Sequence, residues 1–221
     1  MAVVNIGTAD INGSGVAAAT VGSAIAAGSL VVVLVSDFNS SLSTFSVTDT
    51  QHNTYTLATT PQNAVGVGSA LIFYSFVTTP LTTSDTVTYL GTGSSFGAMT
   101  VAATTGYGSI DNATTNTGSD FNSVWSISGA GTPAVANEIY FCLMVVNGFS
   151  ITGNGTELNI QSGDTYMYPA YIVNSGTGNE TFSGTCTLQG LVNSIVSFKP
   201  TVVTSGSYDG GAAPLQMLFW M

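Results

Sequence analysis

Positive charge is what this sequence lacks. Its 221 residues include a single Lys or Arg, Lys199, and a single histidine, His52, against eleven carboxylates, for a net charge of −10. Charged side chains make up 5% of the chain, where soluble proteins carry about a quarter. Nucleic-acid phosphates are held by Lys and Arg, and no basic stripe exists to hold them. Anionic membrane surfaces are disfavoured for the same reason. One cation cannot knit a surface together with ion pairs. That surface must be built from Ser, Thr, Asn, Gln and Gly.

Cysteine is almost as scarce. Cys142 and Cys186 lie in apolar runs with no Cys-x-x-Cys spacing, which reads as two buried free thiols, with pairing across neighbouring strands as the alternative. Zinc needs more ligands than two cysteines and one histidine supply. Long apolar runs are missing too. Residues 15–35 have the length of a bilayer span, but Thr20, Gly22, Ser23, Gly28 and Ser29 interrupt them and no basic residue flanks them. They read as a small-residue loop leading into a buried strand. Residues 1–29 carry Asp10 and no positive n-region, so no signal peptide is expected and synthesis in the cytoplasm is.

What is present is apolar and β-forming. Hydrophobic residues are 44% of the chain, too many for disorder, and Gly or Asn breaks the sequence at short intervals, leaving no long amphipathic helix. Strands are expected at 2–6, 30–37, 45–49, 54–58, 70–77, 85–90, 98–104, 138–146, 165–173, 180–188 and 194–199. Residues 50–53 form a polar turn that makes 45–49 and 54–58 a hairpin. Ile139, Phe141, Leu143 and Val145 alternate with Tyr140, Cys142, Met144 and Val146, so both faces of that strand should be buried. A polar excursion fills 106–137, with one strand near 123–128. The expected fold is all-β: an antiparallel two-sheet β-sandwich, jelly-roll-like, of about ten strands. It occupies residues 1–200. A Gly/Ser-rich linker follows at 201–213, then an apolar clip at 214–221. That clip, with Leu215, Met217, Leu218, Phe219, Trp220 and Met221, would expose an apolar patch unless it packs on its own sandwich or on a neighbour.

Several short motifs occur in a fixed order: Gly28 to Val33, then Val47-Thr48-Asp49 with Asn53 and Tyr55, Leu71 to Phe76, Thr86-Val87-Thr88, and Ser197-Phe198-Lys199. Together, over residues 28–200, they resemble the jelly-roll or lectin-like β-sandwich domain of bacteriophage virion proteins and bacterial exported hypothetical proteins. The resemblance implies a decoration, fibre or other virion part and carries no catalytic residues. His52 departs from it, standing where a Gly is common.

Reactive constellations are few. A Ser/His/Asp triad would have to use His52, in a turn beside Asp49, and a thiol dyad would need Cys142 in mid-strand; neither is expected. Paired carboxylates could serve a glycosidase, but Asp49, Asp85, Asp111, Asp120 and Asp164 all sit in turn-like contexts, where Asp bonds its own backbone. Asp111-Asn112 and Asp120 with Asn122 offer calcium ligands without EF-hand spacing. Trp125, Tyr166, Tyr168 and Tyr171, with Tyr107 and Phe121, could stack on sugar rings. The expectation is a non-enzymatic structural protein of a virus particle without cofactors. It would assemble as a homo-oligomer and with other virion proteins such as a major capsid protein, by apolar and β-strand contacts. The alternative is a secreted or surface glycan-binding module.

Overall fold

The computed structural model describes residues 2–11, 13–38, 44–61, 63–64, 67–91, 96–118, 124–129, 135–146, 151–160, 167–186 and 191–201. Among these there is no helix, and seventeen strands form four antiparallel sheets. The first half contains β1 (Val4–Ile11), β2 (Val16–Thr20), β3 (Leu30–Asp37), β4 (Phe45–Asp49), β5 (Thr56–Leu57), β6 (Asn63–Ala64), β7 (Gly68–Phe76), β8 (Thr86–Gly91) and β9 (Gly97–Thr104). The second contains β10 (Tyr107–Gly118), β11 (Val124–Ser128), β12 (Ile139–Val146), β13 (Ile151–Gly153), β14 (Thr156–Glu157), β15 (Met167–Val173), β16 (Thr181–Cys186) and β17 (Leu191–Pro200).

The all-β antiparallel sandwich expected from the sequence is what forms, but the number of layers differs. Four sheets stack instead of two. In β3, Val31, Val33 and Val35 enter a core shared with the small sheet β2-β8-β4, while Leu30, Val32 and Leu34 enter a second core shared with the sheet of β12. In β12, Ile139, Phe141, Leu143 and Val145 face that second core. Tyr140, Cys142, Met144 and Val146 face a third, closed by β11-β16-β13. A strand covered on both faces has no use for polar alternation, which is why these two runs are continuously apolar. The outer sheets are covered on one face only and alternate: β2 and β11 both run exposed, buried, exposed, buried, exposed.

The halves repeat one another. The large sheets run β1-β9-β3-β7-β5 and β10-β17-β12-β15-β14; the small ones run β2-β8-β4 and β11-β16-β13. Each half therefore has its first, last and third strands side by side and its second and fourth in the opposing sheet, which is jelly-roll order. The register repeats as well. Leu30 pairs with Phe76 and Ile139 with Val173. Just before them, Gly28 N donates to Val77 O as Asn137 N donates to Asn174 O, and Val77 N donates to Ser29 O as Asn174 N donates to Glu138 O. Gly28 and Asn137 both have positive φ, 82° and 64°, the left-handed region that Gly and Asn tolerate best. Ala58 N to Ile72 O likewise matches Leu158 N to Pro169 O.

Further expectations are corrected. The 50–53 turn does not close a hairpin: β4 pairs with β8 and β5 with β7, so the turn carries the chain from one sheet to the other. The 15–35 stretch holds β2 as well as β3, and the 106–137 excursion opens with the twelve-residue edge strand β10. Among the described residues, no helix is long and apolar enough to cross a membrane.

Candidate functional site

The turn after β4 is densely hydrogen-bonded around the buried Asp49, Asn53 and Asp85. Asp49 Oδ1 accepts from the backbone N of Gln51 and Asn53, at 2.9 and 3.0 Å, and its Oδ2 accepts from Asn53 Nδ2 and Tyr55 Oη, at 2.9 and 3.0 Å. Asn53 Oδ1 in turn accepts from the backbone N of Thr78 and Thr79. Asp85 lies close by, accepting from Thr50, Gln51 and Thr82, and these donors hold its carboxyl well below the usual carboxylate range. Burial and the Asp49 carboxylate push the Tyr55 hydroxyl far above its ordinary value. Every carboxylate oxygen here is occupied by a local donor. His52, at φ 59°, bonds through its backbone N to Asp49 O. The motif residues Asp49, Asn53 and Tyr55 are a structural clasp.

The second ionic cluster joins β10, β12 and β17. Lys199 Nζ lies 2.7 Å from Asp111 Oδ1, and Asn112 Nδ2 donates to Asp111 Oδ2 at 2.9 Å. Glu138, fully buried, accepts from Val135 N through Oε1, while its Oε2 has no donor among the described residues. Burial, reinforced by the Asp111 carboxylate, raises the Glu138 carboxyl. Burial and Glu138 push the Tyr140 hydroxyl up to about 12. Asp111 thus engages Lys199 and Asn112; Asp120 and Asn122 lie outside the described residues. No group of three metal-ligating side chains occurs among the described residues.

Among the candidate aromatic residues, Trp125, Tyr168 and Tyr107 belong to the core. Trp125 and Tyr168 are each 2% exposed and meet edge to face at 5.7 Å. The Trp125 indole donates to Thr152 O, and Tyr168 Oη to Gly155 O. Tyr171 is partly buried against Phe141, and Tyr107 is buried. A sugar would have no access to the rings of Trp125 or Tyr168. Tyr166 and Phe121 lie outside the described residues. Cys142 and Cys186 are free, buried thiols in the third core, and burial raises both thiol pKa values, so neither is an activated nucleophile.

The surface offers two recesses among those described. One, about 220 Å³, lies between β1, residues 23–26 and the end of β9, lined by Ala2, Val4, Ile25, Ala103 and Thr105 among others. The second, about 570 Å³ and shallow, is bordered by Thr8 and residues 157–160, with Glu157 its one ionisable side chain; a carboxylate-pair hydrolase needs two. The outer faces of the small sheets carry only uncharged side chains: Ser46, Thr48, Thr86 and Thr88 on one, Ser126, Ser128, Thr181 and Thr185 on the other. Exposed Val16 and Leu90, a cross-strand pair, and Val124 accompany them. The apolar clip, Leu215, Met217, Leu218, Phe219, Trp220 and Met221, lies outside the described residues. No known protein family, curated protein or solved structure matches this chain.

Proposed function

We propose that this protein is a non-enzymatic structural subunit of a phage or similar virus particle, of capsid-decoration or fibre type, assembling with copies of itself and with a major capsid protein. The observation that carries the reading is the pair of uncharged outer faces on a doubly stacked jelly roll. The buried polar groups around Asp49 and Asp85 are occupied by local hydrogen bonds, and the outer sheets present hydroxyls and a few apolar side chains. Such faces meet a neighbour by shape, hydroxyl hydrogen bonds and apolar contact, without needing matched ion pairs. The net charge of −10 keeps assembled particles apart in solution. The apolar residues from Leu215 to Met221 supply a further contact.

Particles purified on a density gradient from a culture producing this protein should carry it in stoichiometric amount. Deletion of residues 214–221 should leave the fold intact and reduce that incorporation. Protein found only in the particle-free fraction would refute the proposal.

A further inference from the structure

The one lysine of the chain is in contact with a carboxylate. Lys199, in β17, has its Nζ 2.7 Å from Asp111 Oδ1 in β10, and the two side chains are 34% and 11% exposed. Register sets the pair: Ser109 stands opposite Lys199, and the irregularity between Ile110 and Ala113 holds Asp111 beside it. Glu138 completes the group. It precedes Ile139, which pairs with Phe198, so it lies alongside Lys199. Glu138 is fully buried and hydrogen-bonds the Asp111 carboxyl and Ser197, while its Oε2 meets no donor among the described residues. A carboxyl oxygen buried against a second carboxylate is accounted for when it carries a proton and donates it. Burial favours that neutral form of Glu138.

An amine, a carboxyl and a buried carboxylic acid in mutual contact are the parts of an amide condensation. As an ion pair alone the group would add little, since part-exposed pairs are weak and burying Glu138 is costly.

We propose that Lys199 and Asp111 condense, with Glu138 relaying protons, to an intramolecular isopeptide bond that ties β10 to β17. Lys199 passes its extra proton to Asp111 across the 2.7 Å contact, leaving a neutral amine and a neutral carboxyl. Nζ then attacks Asp111 Cγ, which the hydrogen bond from Glu138 polarises. The N–C bond forms. Glu138 delivers its proton to the departing hydroxyl and takes one from the nitrogen, and the C–O bond breaks with release of one water. Glu138 ends protonated, as it began, and no oxidant or other co-reactant is consumed. Near-attack separations are about 3–3.5 Å, and aligned groups reach effective molarities of about 10⁵–10⁸ M, which offsets the preference of the separated ions for water.

The bond joins the first and last strands of the second half and closes that jelly roll covalently. This goes beyond the virion reading and does not depend on it. The ion-paired and bonded chains are separate species, and the titration of Glu138 against Asp111 belongs to the ion-paired one.

The folded chain, incubated at neutral pH and then denatured, should be lighter by one water in intact-mass spectrometry. Lys199 is the only lysine, so amine-reactive labelling of the denatured product should find no ε-amine. Chymotryptic digestion should release a branched peptide joining the Asp111 and Lys199 segments. K199R, which keeps the charge, should retain its full mass. D111N should lose ammonia in place of water, and E138Q should slow the bond by about a hundredfold. Far-UV circular dichroism checks each variant's fold, and the measurements on the parent stand whether or not a variant folds. A parent chain at full mass with a reactive ε-amine would overturn the inference. So would loss of water that persists in K199R, which would place the dehydration elsewhere, or bond formation in E138Q at the parent's rate.

Discussion

At the scale of single residues, two carboxyls titrate in opposite senses, and their signs set the pH response. Asp85 is held low by its donors, so its stabilisation is present above its ordinary value of 3.8 and is lost as pH falls through the lowered folded value. Glu138 is raised, so its contribution is complete below its ordinary 4.5 and is lost as pH rises through the raised folded value. The groups facing Glu138 are Asp111 from β10, Ser197 and Lys199 from β17 and Tyr140 from β12, with Glu180 acting on Tyr140. Thermal stability should therefore peak in mildly acidic solution. E138Q should match the parent near pH 4 and exceed it progressively toward neutrality. Melting curves for the two proteins that stay parallel across that range would refute the assignment.

Asp49 makes a second residue-scale case. Asp49→Ala would strand four donors, including the buried Asn53 N and Nδ2. Hydrogen bonds to a charged group are worth about 1.5–3 kcal/mol each, and they do not add fully. A loss of about 3 kcal/mol in urea unfolding is expected, with no change in any sugar- or metal-dependent signal. The Asp-Asn-Tyr spacing was visible in the sequence as a motif. Its role was not, because only folding brings residues 78–79 against Asn53 and Asp85 against Thr50.

Among elements, the sequence was legible where burial leaves a long apolar signature. β3, β7, β9 and β12 fall within a few residues of their expected spans, because both faces of a central strand must be apolar and the run stands out. β2, β10, β13 and β14 were not seen. β2 is Val-Ala-Ala-Ala-Thr, whose small side chains give little contrast between faces. β10 is an edge strand built from Ser, Asn and Thr, pairing with β17 through backbone bonds that side-chain polarity does not announce. β13 and β14 are three and two residues long, too short for any period to register. The burial of Tyr168 was missed for a related reason: it sits in β15, which is paired on both sides and whose side chains enter the second and third cores. The contrast between layers can be measured. Phe141→Ala, in the middle core, should cost about 3–5 kcal/mol. Val124→Ser, on an outer face at 66% exposure, should stay within about 0.5 kcal/mol. Similar costs for the two would mean that the stack of four layers is wrong.

For the whole molecule, the repeated halves settle where cohesion lies. With one Lys and no Arg, ion pairing holds little of this fold; Lys199 with Asp111 is the one salt bridge among the described residues. The join between halves is instead the middle core, where Leu30, Val32, Leu34 and Ile72 meet Phe141, Leu143, Val196 and Phe198. A few hydrogen bonds fix the docking, among them Ser194 Oγ to Ala70 O at 2.7 Å and Thr100 Oγ1 to Asn159 O at 2.8 Å. Each half has its own outer core, yet its large sheet is apolar on the far face as well. Separated, it would expose a contiguous apolar surface of the kind that soluble monomers avoid. Residues 1–105 and 106–221 expressed singly should therefore aggregate or bind ANS strongly. Produced together, they should co-purify as a one-to-one complex whose circular dichroism matches that of the intact chain. The middle core is then the contact that makes two jelly rolls one protein. Either half alone unfolding cooperatively, at the melting temperature of the full chain and without binding ANS, would show that each sandwich is self-sufficient and that the middle core adds little.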